Sequence, residues 1–499
     1  MGQAPDRIAG LNAHSRAAQM RVVLINPPTS FEQIYGDWDL SALDTYTPPL
    51  GILHIASYIR KFGHSVKIFD LQLPDLKISD AIRQIRSWPA DIVGFTAMTS
   101  NCRSAQEIAK EIKKSLPAVP IILGGAHISA VPTETMKRFV AIDFGVIGEG
   151  EVSFLELLGK IADGQSVAEV KGIVWRAEDG RAVLNEPRAP IQNLDDLPMP
   201  AWDLLDRFPE GYPSSLLEAK RLPGTAIMTS RGCPFHCTFC DHRVFGSRVR
   251  HFSAEYSLNM MRHLKSRYDI RDLMIIDDNF LLDKRKLFEI CDGMMAEDMD
   301  FTWYCMGHEK SMTDDRLAKI REAGCWFIEM GIESGNDGIL AKIKKGTTKA
   351  DVESAVKRAK KAGLKIKGNF IFGFPGETLE TLEETIEFAL GLKIDFFQQN
   401  FLTVWPGCEI AEELSKTPQA VHRLEDDWDR LAHQRATFVP AGMTGEQLVK
   451  ASKRAFRRFY LRPRIISGLI PRLASWRGLK FGLLSFRAFL GTIFRHNTA

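Results

Sequence analysis

Residues 225–240, TAIMTSRGCPFHCTFC, join a short segment of strand-forming residues directly to three closely spaced cysteines. The cysteines have the spacing C-x3-C-x2-C and are Cys233, Cys237 and Cys240. Three thiolates in so short a loop can hold three corners of a cubane iron–sulfur cluster and leave the fourth iron free for another ligand. Structural zinc, the main alternative, usually takes four ligands, so His236 or His242 would have to supply the fourth. We therefore predict a [4Fe-4S] site directly after a strand.

The region around this loop, from about Thr225 to Thr403, alternates strand-forming segments with helical ones. The strand candidates are TAIMTS, DLMIID, FTWYCM, FIEMGIE, IKGNFIFG and DFFQQNFL. Repeats of this kind predict a parallel barrel, either a partial (βα)6 barrel or a full one. Functional sites on such barrels cluster at the carboxyl ends of the strands, which is where the cysteine loop falls.

A second alternating region precedes the barrel, at residues 21–165. Apolar strands that alternate with amphipathic helices predict a doubly wound parallel sheet, so the fold class is α/β for both regions. Ligands of such sheets bind beyond the carboxyl ends of the strands. The loops expected there are Asn26-Pro27-Pro28, Thr96–Asn101, Gly124–Ser129 and Gly148–Glu151.

Three further segments complete the predicted organisation. Residues 1–20 form a polar leader without the apolar stretch of a signal peptide. Residues 166–218 contain a hairpin that turns at Asp179-Gly180, followed by a linker rich in proline and aspartate. The barrel is assigned to residues 219–440, and a basic helical tail to residues 441–499.

Charge is distributed unevenly between the tail and the rest of the chain. The chain has 65 Lys and Arg against 62 Asp and Glu, and 12 of the basic residues but no acidic residue lie from Gln447 onward. Residues 1–446 therefore carry 53 basic against 62 acidic residues, a net charge of −9. A body without a basic face argues against nucleic acid as a partner. A composition of 45% hydrophobic and 25% charged residues excludes wholesale disorder.

The tail is apolar as well as basic. Within residues 462–499, the segment SWRGLKFGLLSFRAFLGTIFRH places its cations on one side of a helix and Leu and Phe on the other. Such a helix can lie in a membrane interface with its cations on anionic headgroups. The alternatives are a helix docked on the acidic body and a helix that pairs in a dimer. A membrane span is disfavoured because charges interrupt the apolar run.

The remaining cysteines indicate a reducing compartment. Eight cysteines in 499 residues are too few and too irregularly spaced for a disulfide-stapled secreted fold. We predict that Cys291, Cys305 and Cys325 are small buried apolar side chains. Cys102 and Cys408 lie near candidate ligand loops, but we predict a structural role for them as well. The predicted location is the cytoplasm, where the tail would allow peripheral attachment to the inner face of the membrane.

Together, the barrel motifs resemble the radical S-adenosylmethionine (radical SAM) superfamily. The matching motifs are the cysteine loop with Phe239 before its last cysteine, MIIDDNF (274–280), GIESGND (331–337) and GNFIFGFPGET (368–378). The resemblance implies that the open iron chelates the amino and carboxylate groups of SAM. It also implies that reduction by a low-potential donor of the flavodoxin or ferredoxin type cleaves SAM to methionine and a 5′-deoxyadenosyl radical.

The same resemblance implies a set of SAM-binding residues: Phe239, Asp278, Glu333, Ser334, Gly373 and Gly376. Acids and hydroxyls at strand ends can accept hydrogen bonds from the ammonium and ribose groups of SAM. The two glycines would let the backbone approach a flat adenine ring closely. One departure from the family is that Asp277-Asp278-Asn279 stands where many members have Gly-Gly-Glu, which leaves open which residue binds the amino group.

The N-terminal region resembles the cobalamin-binding domains that are fused to one branch of this superfamily. The matching stretches are INPPTS (25–30), residues 47–71, LGGAHISAVPTE (123–134) and VIGEGEVSFLELL (146–158). The cobalamin-binding residues that it implies are Asn26, Pro27, Thr99, Ser100, Gly124, Gly125, Gly148 and Glu149. The Asp-x-His-x-x-Gly that supplies a cobalt-ligating histidine elsewhere is missing, so cobalamin would bind base-off. We predict that His127 packs inside its loop.

Three functions follow from these patterns. The first is a cobalamin-dependent radical SAM C-methyltransferase, and the apolar tail suggests a hydrophobic small-molecule substrate. The second keeps the architecture but is a cyclase or oxidoreductase, with or without cobalamin, that acts on a tetrapyrrole or lipid. The third, from a different class, is a zinc-stabilised binding protein that docks on membranes. No residue is predicted to act directly in catalysis.

Overall fold

The computed structural model describes residues 19–29, 45–215, 218–416, 428, 431 and 434–469. Nearly all of the predicted polar leader and residues 470–499 of the predicted tail lie outside these ranges. The described residues form two parallel sheets with helices packed on them.

The N-terminal sheet has seven strands in the order β2-β1-β3-β4-β5-β6-β7. The strands are β1 (Arg21–Asn26), β2 (Ser65–Asp70), β3 (Ile92–Thr96), β4 (Ile121–Gly124), β5 (Phe144–Val146), β6 (Ile173–Arg176) and β7 (Ala182–Leu184). Strands β1 to β5 pair in parallel. The helices are α1 (Leu50–Lys61), α2 (Ile78–Ser87), α3 (Cys102–Ser115), α4 (Ala126–Ala130), α5 (Pro132–Arg138) and α6 (Gly150–Ala162).

Strand β1 shows why this sheet is covered on both faces. Val23 and Ile25 belong to one buried apolar cluster, whereas Val22 and Leu24 belong to another. Because successive side chains of a strand point to opposite faces, an uninterrupted apolar run needs a helical layer on each side. The predicted doubly wound sheet is confirmed.

The hairpin that we grouped with the linker is part of this sheet. Strand β6 pairs antiparallel with β5, with Phe144 opposite Trp175, and β7 continues from β6. Gly180 lies in the turn with a positive φ of 82°, and the backbone N–H of Arg181 donates to Asp179 Oδ1 over 3.0 Å. The hairpin covers the edge of the very short β5, which would otherwise expose unpaired backbone groups.

The second sheet has six parallel strands in the order β15-β14-β13-β12-β11-β8. They are β8 (Gly224–Ile227), β11 (Asp272–Ile275), β12 (Thr302–Met306), β13 (Cys325–Glu333), β14 (Lys365–Phe372) and β15 (Phe396–Phe401). A small antiparallel ribbon joins β9 (Ser230–Arg231) to β10 (Arg250–His251). Strands β8 and β15 are the two edges of the described sheet, so the barrel is the partial form of the two that we predicted.

Helices cover the outside of the partial barrel. They are α7 (Ala254–Tyr268), α8 (Lys284–Ala296), α9 (Asp314–Glu322), α10 (Asp337–Lys342), α11 (Lys349–Lys361), α12 (Leu379–Gly391) and α13 (Glu409–Ser415). Several begin at a side chain that accepts a hydrogen bond from the first turn: Ser253, Asp283, Asn336, Thr348 and Thr378. Such caps satisfy backbone N–H groups at the helix start and define where each loop ends.

The described part of the tail docks on the barrel. It contains α14 (Gly445–Tyr460) and α15 (Pro463–Leu469). The ring of Phe459 stacks on Phe397 with centroids 5.3 Å apart, and Arg458 pairs with Glu387 of α12 over 2.5 Å. The segment 475–496, to which the docked, dimer and membrane alternatives apply, lies outside the described residues, so its role stays a prediction. Among the described residues, no helix is both long and apolar enough to cross a membrane.

Candidate active site between the two sheets

The cysteine loop follows strand β9 at the carboxyl end of β8. Gly232, just before it, has a φ of 93°, and a Cβ added there would lie 2.6 Å from the carbonyl oxygen of Arg248. Only glycine fits this backbone position. The N–H of Thr238 donates to Ile343 O over 3.0 Å, and its carbonyl accepts from Ile410 N over 2.9 Å. These bonds hold the loop against the ends of neighbouring barrel segments.

The three thiols have unequal surroundings within the loop. Cys233 is half-buried, Cys237 is buried and Cys240 is exposed. A hydrogen bond from Cys240 lowers the pKa of Cys237; burial opposes this shift and the charge of Lys345 adds to it. The same hydrogen bond raises the pKa of Cys240, and burial raises the pKa of Cys233. Three soft donors in one loop fit a [4Fe-4S] cluster. Within the described part of the chain, no three Cys, His, Asp or Glu side chains converge to hold a single metal ion.

Phe239 connects this loop to the glycine-rich motif after β14. Its ring lies 5.5 Å from that of the buried Phe374. Gly373 and Gly376 both have positive φ, of 100° and 84°. A Cβ on Gly373 would lie 3.1 Å from Leu448 of α14, so this glycine lets α14 pack closely, and its predicted place at the adenine stays a prediction. Gly376 faces only the flexible end of Lys342, which can move aside.

The predicted acids lie on two sides of the loop. Asp278 is exposed. Burial raises the pKa of Cys233, and the charge of Asp278 raises it further. Glu333 ends β13 with a φ of 68° and is only 7% exposed. Its Oε1 lies 3.3 Å from Nζ of Lys345. Both acids therefore lie near the cysteine loop.

Ser334 has protein partners, and its predicted contact with SAM stays a prediction. It is fully buried, and its hydroxyl lies 3.2 Å from Thr385 Oγ1 and accepts from Asn336 N over 3.2 Å. The side chain points to helix α12, because the left-handed backbone at Glu333 turns the chain there.

The N-terminal loops reach the same region. A Cβ on Gly407, after β15, would lie 2.8 Å from the Cβ of Ala130, which ends the short helix α4 after β4. A Cβ on Gly148, after β5, would lie 3.7 Å from the carbonyl oxygen of Val244, just beyond the cysteine loop. The carboxyl edges of the two sheets are therefore in contact.

Four predicted cobalamin-binding residues lie in two adjacent loops. Asn26 Nδ2 donates to Asp70 Oδ1 over 2.8 Å, and the carbonyl of Pro27 accepts from Asn101 Nδ2 over 3.2 Å. Thr99 and Ser100 form a turn at the start of α3. The loops after β1 and β3 are thus bonded into one unit at the strand ends.

The glycine pair after β4 brings a third loop close to these two. A Cβ on Gly125 would lie 2.6 Å from Ala97 O, whereas one on Gly124 would meet only Phe95 O at 3.6 Å. His127 follows and is fully buried, with Nδ1 3.2 Å from Thr99 Oγ1 and its ring edge-on to Trp428 at 4.3 Å. Burial lowers its pKa to about 3. His127 is a neutral packing residue, as the sequence suggested.

Glu149 has buried protein partners: its carboxylate lies 2.7 Å from Arg231 and 2.6 Å from Arg250. The cobalamin contact predicted for Glu149 stays a prediction. Arg231 also pairs with Glu151 over 2.6 Å. All four side chains are almost fully buried. Because buried charges need partners, this network is a structural link between the N-terminal sheet and the residues that lead into the cysteine loop.

Sequence reasoning missed three residues beside the cysteine loop. Lys345 is 7% exposed and Glu309 is 1% exposed. The ring of His308 stacks on Phe235 with centroids 3.7 Å apart. Burial raises the pKa of Glu309 to about 7, although Lys345 opposes the shift. The one available signal for His308 and Glu309 was their position directly after β12, whereas Lys345 lies between α10 and α11.

Two family models match the chain in the same order as the sheets. The B12 binding domain matches residues 40–158, and the Radical SAM superfamily matches residues 227–389. The chain is also 34% identical over 450 residues to "Uncharacterized methyltransferase PH0819" of Pyrococcus horikoshii, covering 90% of this chain and 94% of that protein. The chain belongs to the cobalamin-dependent radical SAM methyltransferase family.

Two further proteins are similar to this chain. It is 26% identical over 450 residues to the anaerobic magnesium-protoporphyrin IX monomethyl ester cyclase of Rubrivivax gelatinosus, covering 89% of this chain and 78% of the cyclase. The solved structure of the cobalamin-dependent SAM radical enzyme OxsB, with aqua-cobalamin and SAM bound, matches its fold. The TM-score is 0.73 at 17% identity, covering 95% of this chain and 72% of OxsB.

Family membership confirms the main sequence prediction. The chain is an enzyme, and its family cofactors are a [4Fe-4S] cluster, SAM and cobalamin. The alternative of a zinc-stabilised binding protein is wrong. The family models lie within the predicted regions 21–165 and 219–440, whose boundaries stay predictions.

Proposed function

We propose that this enzyme methylates a carbon atom of a hydrophobic small molecule. The observation that carries the proposal is the contact between the carboxyl edges of the two sheets, at Gly407 with Ala130 and at Gly148 with Val244. Parallel sheets bind their ligands at this edge. A methyl carrier on one sheet and a radical source on the other would therefore act on one substrate between them.

The cysteine loop and its neighbours would hold the radical source. Cys233, Cys237 and Cys240 bind the cluster, which supplies the electron that cleaves SAM when it is bound. Asp278, exposed beside Cys233, accepts hydrogen bonds from the SAM ammonium group. Glu333, Phe239 and Gly376 would receive the ribose and adenine. The ring of Phe239 packs on the buried ring of Phe374 beside them.

The loops of the N-terminal sheet would hold cobalamin. Thr99, Ser100, Gly124, Gly125 and Gly148 lie at its carboxyl edge. Asn26 and Pro27 act indirectly, because their hydrogen bonds fix the loops after β1 and β3. His127 is packed against Trp428, which supports base-off binding without a protein imidazole.

Exposed apolar side chains at these edges support a hydrophobic substrate. Met98, in the loop after β3, is 58% exposed, and Met306, at the end of β12, is 36% exposed. Flexible thioethers adapt to irregular apolar ligands. Water-exposed methionines at both edges gain free energy when an apolar molecule covers them.

The test uses full-length protein purified and reconstituted without oxygen. Iron, sulfide and cobalt are assayed first, and the protein is then incubated with SAM carrying a trideuterated methyl group, a flavodoxin reducing system and apolar extracts of the source cells. We expect cobalt and iron in the protein and one extract compound that gains the deuterated methyl group. Iron without cobalt, after growth with cobalamin, would overturn the methyl-carrier assignment.

The cyclase relative favours a second candidate, ring closure or oxidation of a similar substrate. The same experiment separates the two, because oxidation gives a product with two hydrogens fewer than the substrate and transfers no deuterium. The electron donor, of the flavodoxin or ferredoxin type, is shared by both candidates.

A further inference from the structure

We propose that buried Lys345, paired with Glu333, raises the reduction potential of the cluster. Lys345 is a positioning and electrostatic residue that acts on the cluster through space. The inference rests on the proposed cluster site at the three cysteines, but not on whether the reaction is methyl transfer or cyclisation.

The backbone places Lys345 beside the cysteine loop. The carbonyl of Ile343, two residues earlier, accepts a hydrogen bond of 3.0 Å from Thr238, which lies between the second and third cysteines. Lys344 and Gly346 both have positive φ, of 53° and 75°. This tight turn directs adjacent side chains apart: Lys344 is exposed and pairs with Glu409, whereas Lys345 is buried.

Two carboxylates keep the buried ammonium charged. Glu333 Oε1 lies 3.3 Å from Lys345 Nζ. Burial alone would lower the pKa of Lys345, but the charges of Glu309 and Glu333 outweigh it and raise the pKa. A buried lysine without such partners would lose its proton. At neutral pH this group is therefore a fixed positive charge.

Lys345 lies close to the cluster ligands, because Ile343, two residues before it, is hydrogen-bonded to Thr238 between Cys237 and Cys240. A buried cation at this place favours the extra electron of the reduced cluster, because net charge and surroundings set the potential of iron–sulfur centres. The effect is larger than at a surface because little water screens it.

Glu309 has the opposite effect on the cluster. Both of its carboxylate oxygens are buried and have no hydrogen-bond partner among the described residues. Its negative charge is therefore screened less than that of a hydrogen-bonded carboxylate. Removing Lys345 or Glu309 should shift the potential in opposite directions, which a merely structural role would not produce.

The experiment is a redox titration of the full-length reconstituted protein, monitored by EPR of the reduced cluster. The pH is held above the pKa of Glu309. Dithionite supplies the single electron that each cluster accepts. We expect Lys345→Met to shift the midpoint to more negative potential and Glu309→Gln to shift it to more positive potential. Lys345→Arg should stay close to wild type, because it keeps the charge. The matched control is Lys344→Met, which removes an exposed lysine next in the chain and should leave the midpoint unchanged.

Iron content and thermal melting separate electrostatics from misfolding. If Lys345→Met fails to fold or to hold iron, the midpoint shift of Glu309→Gln tests the proposal instead. Unchanged midpoints in iron-replete variants, or shifts of the same sign, would overturn the proposal. A wild-type protein without a cluster would overturn the proposed cluster site instead, so the two failures are distinct.

Discussion

Asp277 and Asp278 are neighbours in the chain but have opposite surroundings. Asp277 is buried, and its carboxylate accepts hydrogen bonds of 2.6 Å from Thr229 N, Thr229 Oγ1 and Ser230 Oγ. It fixes the turn that leads into the cysteine loop. Asp278 is exposed beside Cys233. One aspartate thus supports the fold, and the other can reach a ligand.

Substitution of these two residues should separate binding from stability. Asp278→Asn removes a charged acceptor for the SAM ammonium, so we expect SAM affinity to fall roughly 10- to 100-fold, as for the loss of a hydrogen bond to a charged group. Asp277→Asn should instead lower the melting temperature. Anaerobic titration calorimetry with SAM measures the first effect, and thermal melting measures the second. Equal SAM affinity in wild type and Asp278→Asn would show that the charge of Asp278 does not bind SAM.

Each loop cysteine should be needed for iron. We expect Cys233→Ala, Cys237→Ala and Cys240→Ala each to lose most of the iron and the brown colour after anaerobic reconstitution, because a cubane needs all three thiolates. Cys102→Ser is the control, since Cys102 is buried in the other sheet region and its thiol donates to Thr99 O over 3.2 Å. Full iron content in any of the three alanine variants would contradict this assignment.

Among the secondary-structure elements, the link between the two sheets depends on the buried ion pairs of Arg231 and Arg250 with Glu149 and Glu151. Arg231 and Arg250 also face each other in the small ribbon of β9 and β10. The ribbon therefore connects the N-terminal sheet to the start of the cysteine loop. A change in this network should affect the loop even though no member of it is expected to touch a cofactor.

Removing one charge from this network should be costly. Glu149→Gln leaves Arg231 and Arg250 short of a buried partner, and breaking such a pair costs about 3–5 kcal/mol. We expect a clear fall in the unfolding free energy from denaturant melts. The control is Glu412→Gln, which breaks the exposed pair with Arg243 and should cost about 0–1 kcal/mol. Similar losses in both variants would argue that the network is not buried in solution.

For the whole molecule, the described tail and the segment beyond it can be tested apart. Arg462 and Arg464 donate to the carbonyls of Leu390 and Ile394, which attaches the start of residues 462–499 to the barrel. The membrane contact predicted for residues 462–499 would then fall on residues 470–499, which lie outside the described residues. Their one lysine, four arginines and apolar residues suit an anionic bilayer surface.

Deleting residues 470–499 should abolish binding to vesicles of phosphatidylglycerol and phosphatidylcholine in a sedimentation assay. The iron content should not change, because the described tail helices remain docked. Vesicles of phosphatidylcholine alone should bind the full chain weakly, since they lack the anionic headgroups. Undiminished binding by the truncated protein would exclude this segment as the membrane contact.

Much of the architecture could be predicted because it depends on local pattern. The apolar run of β1 and the repeated barrel strands follow from residues adjacent in the chain. The cysteine loop could be recognised because its three ligands lie within eight residues. The hairpin of β6 and β7 was recognised, but its place at the edge of the N-terminal sheet depends on pairing with a strand made nearly thirty residues earlier.

The sequence by itself determined the fold class, because apolar periodicity along the chain encodes it; its motifs carried the family resemblance and predicted the cluster ligands. Only the tertiary structure showed that Glu149, Ser334 and Gly373 contact protein groups from distant parts of the chain. It also decided that Lys345 lies beside the cysteines. These roles depend on burial and on charges brought together from distant loops, and no local pattern records which side chains will share a space from which water is excluded.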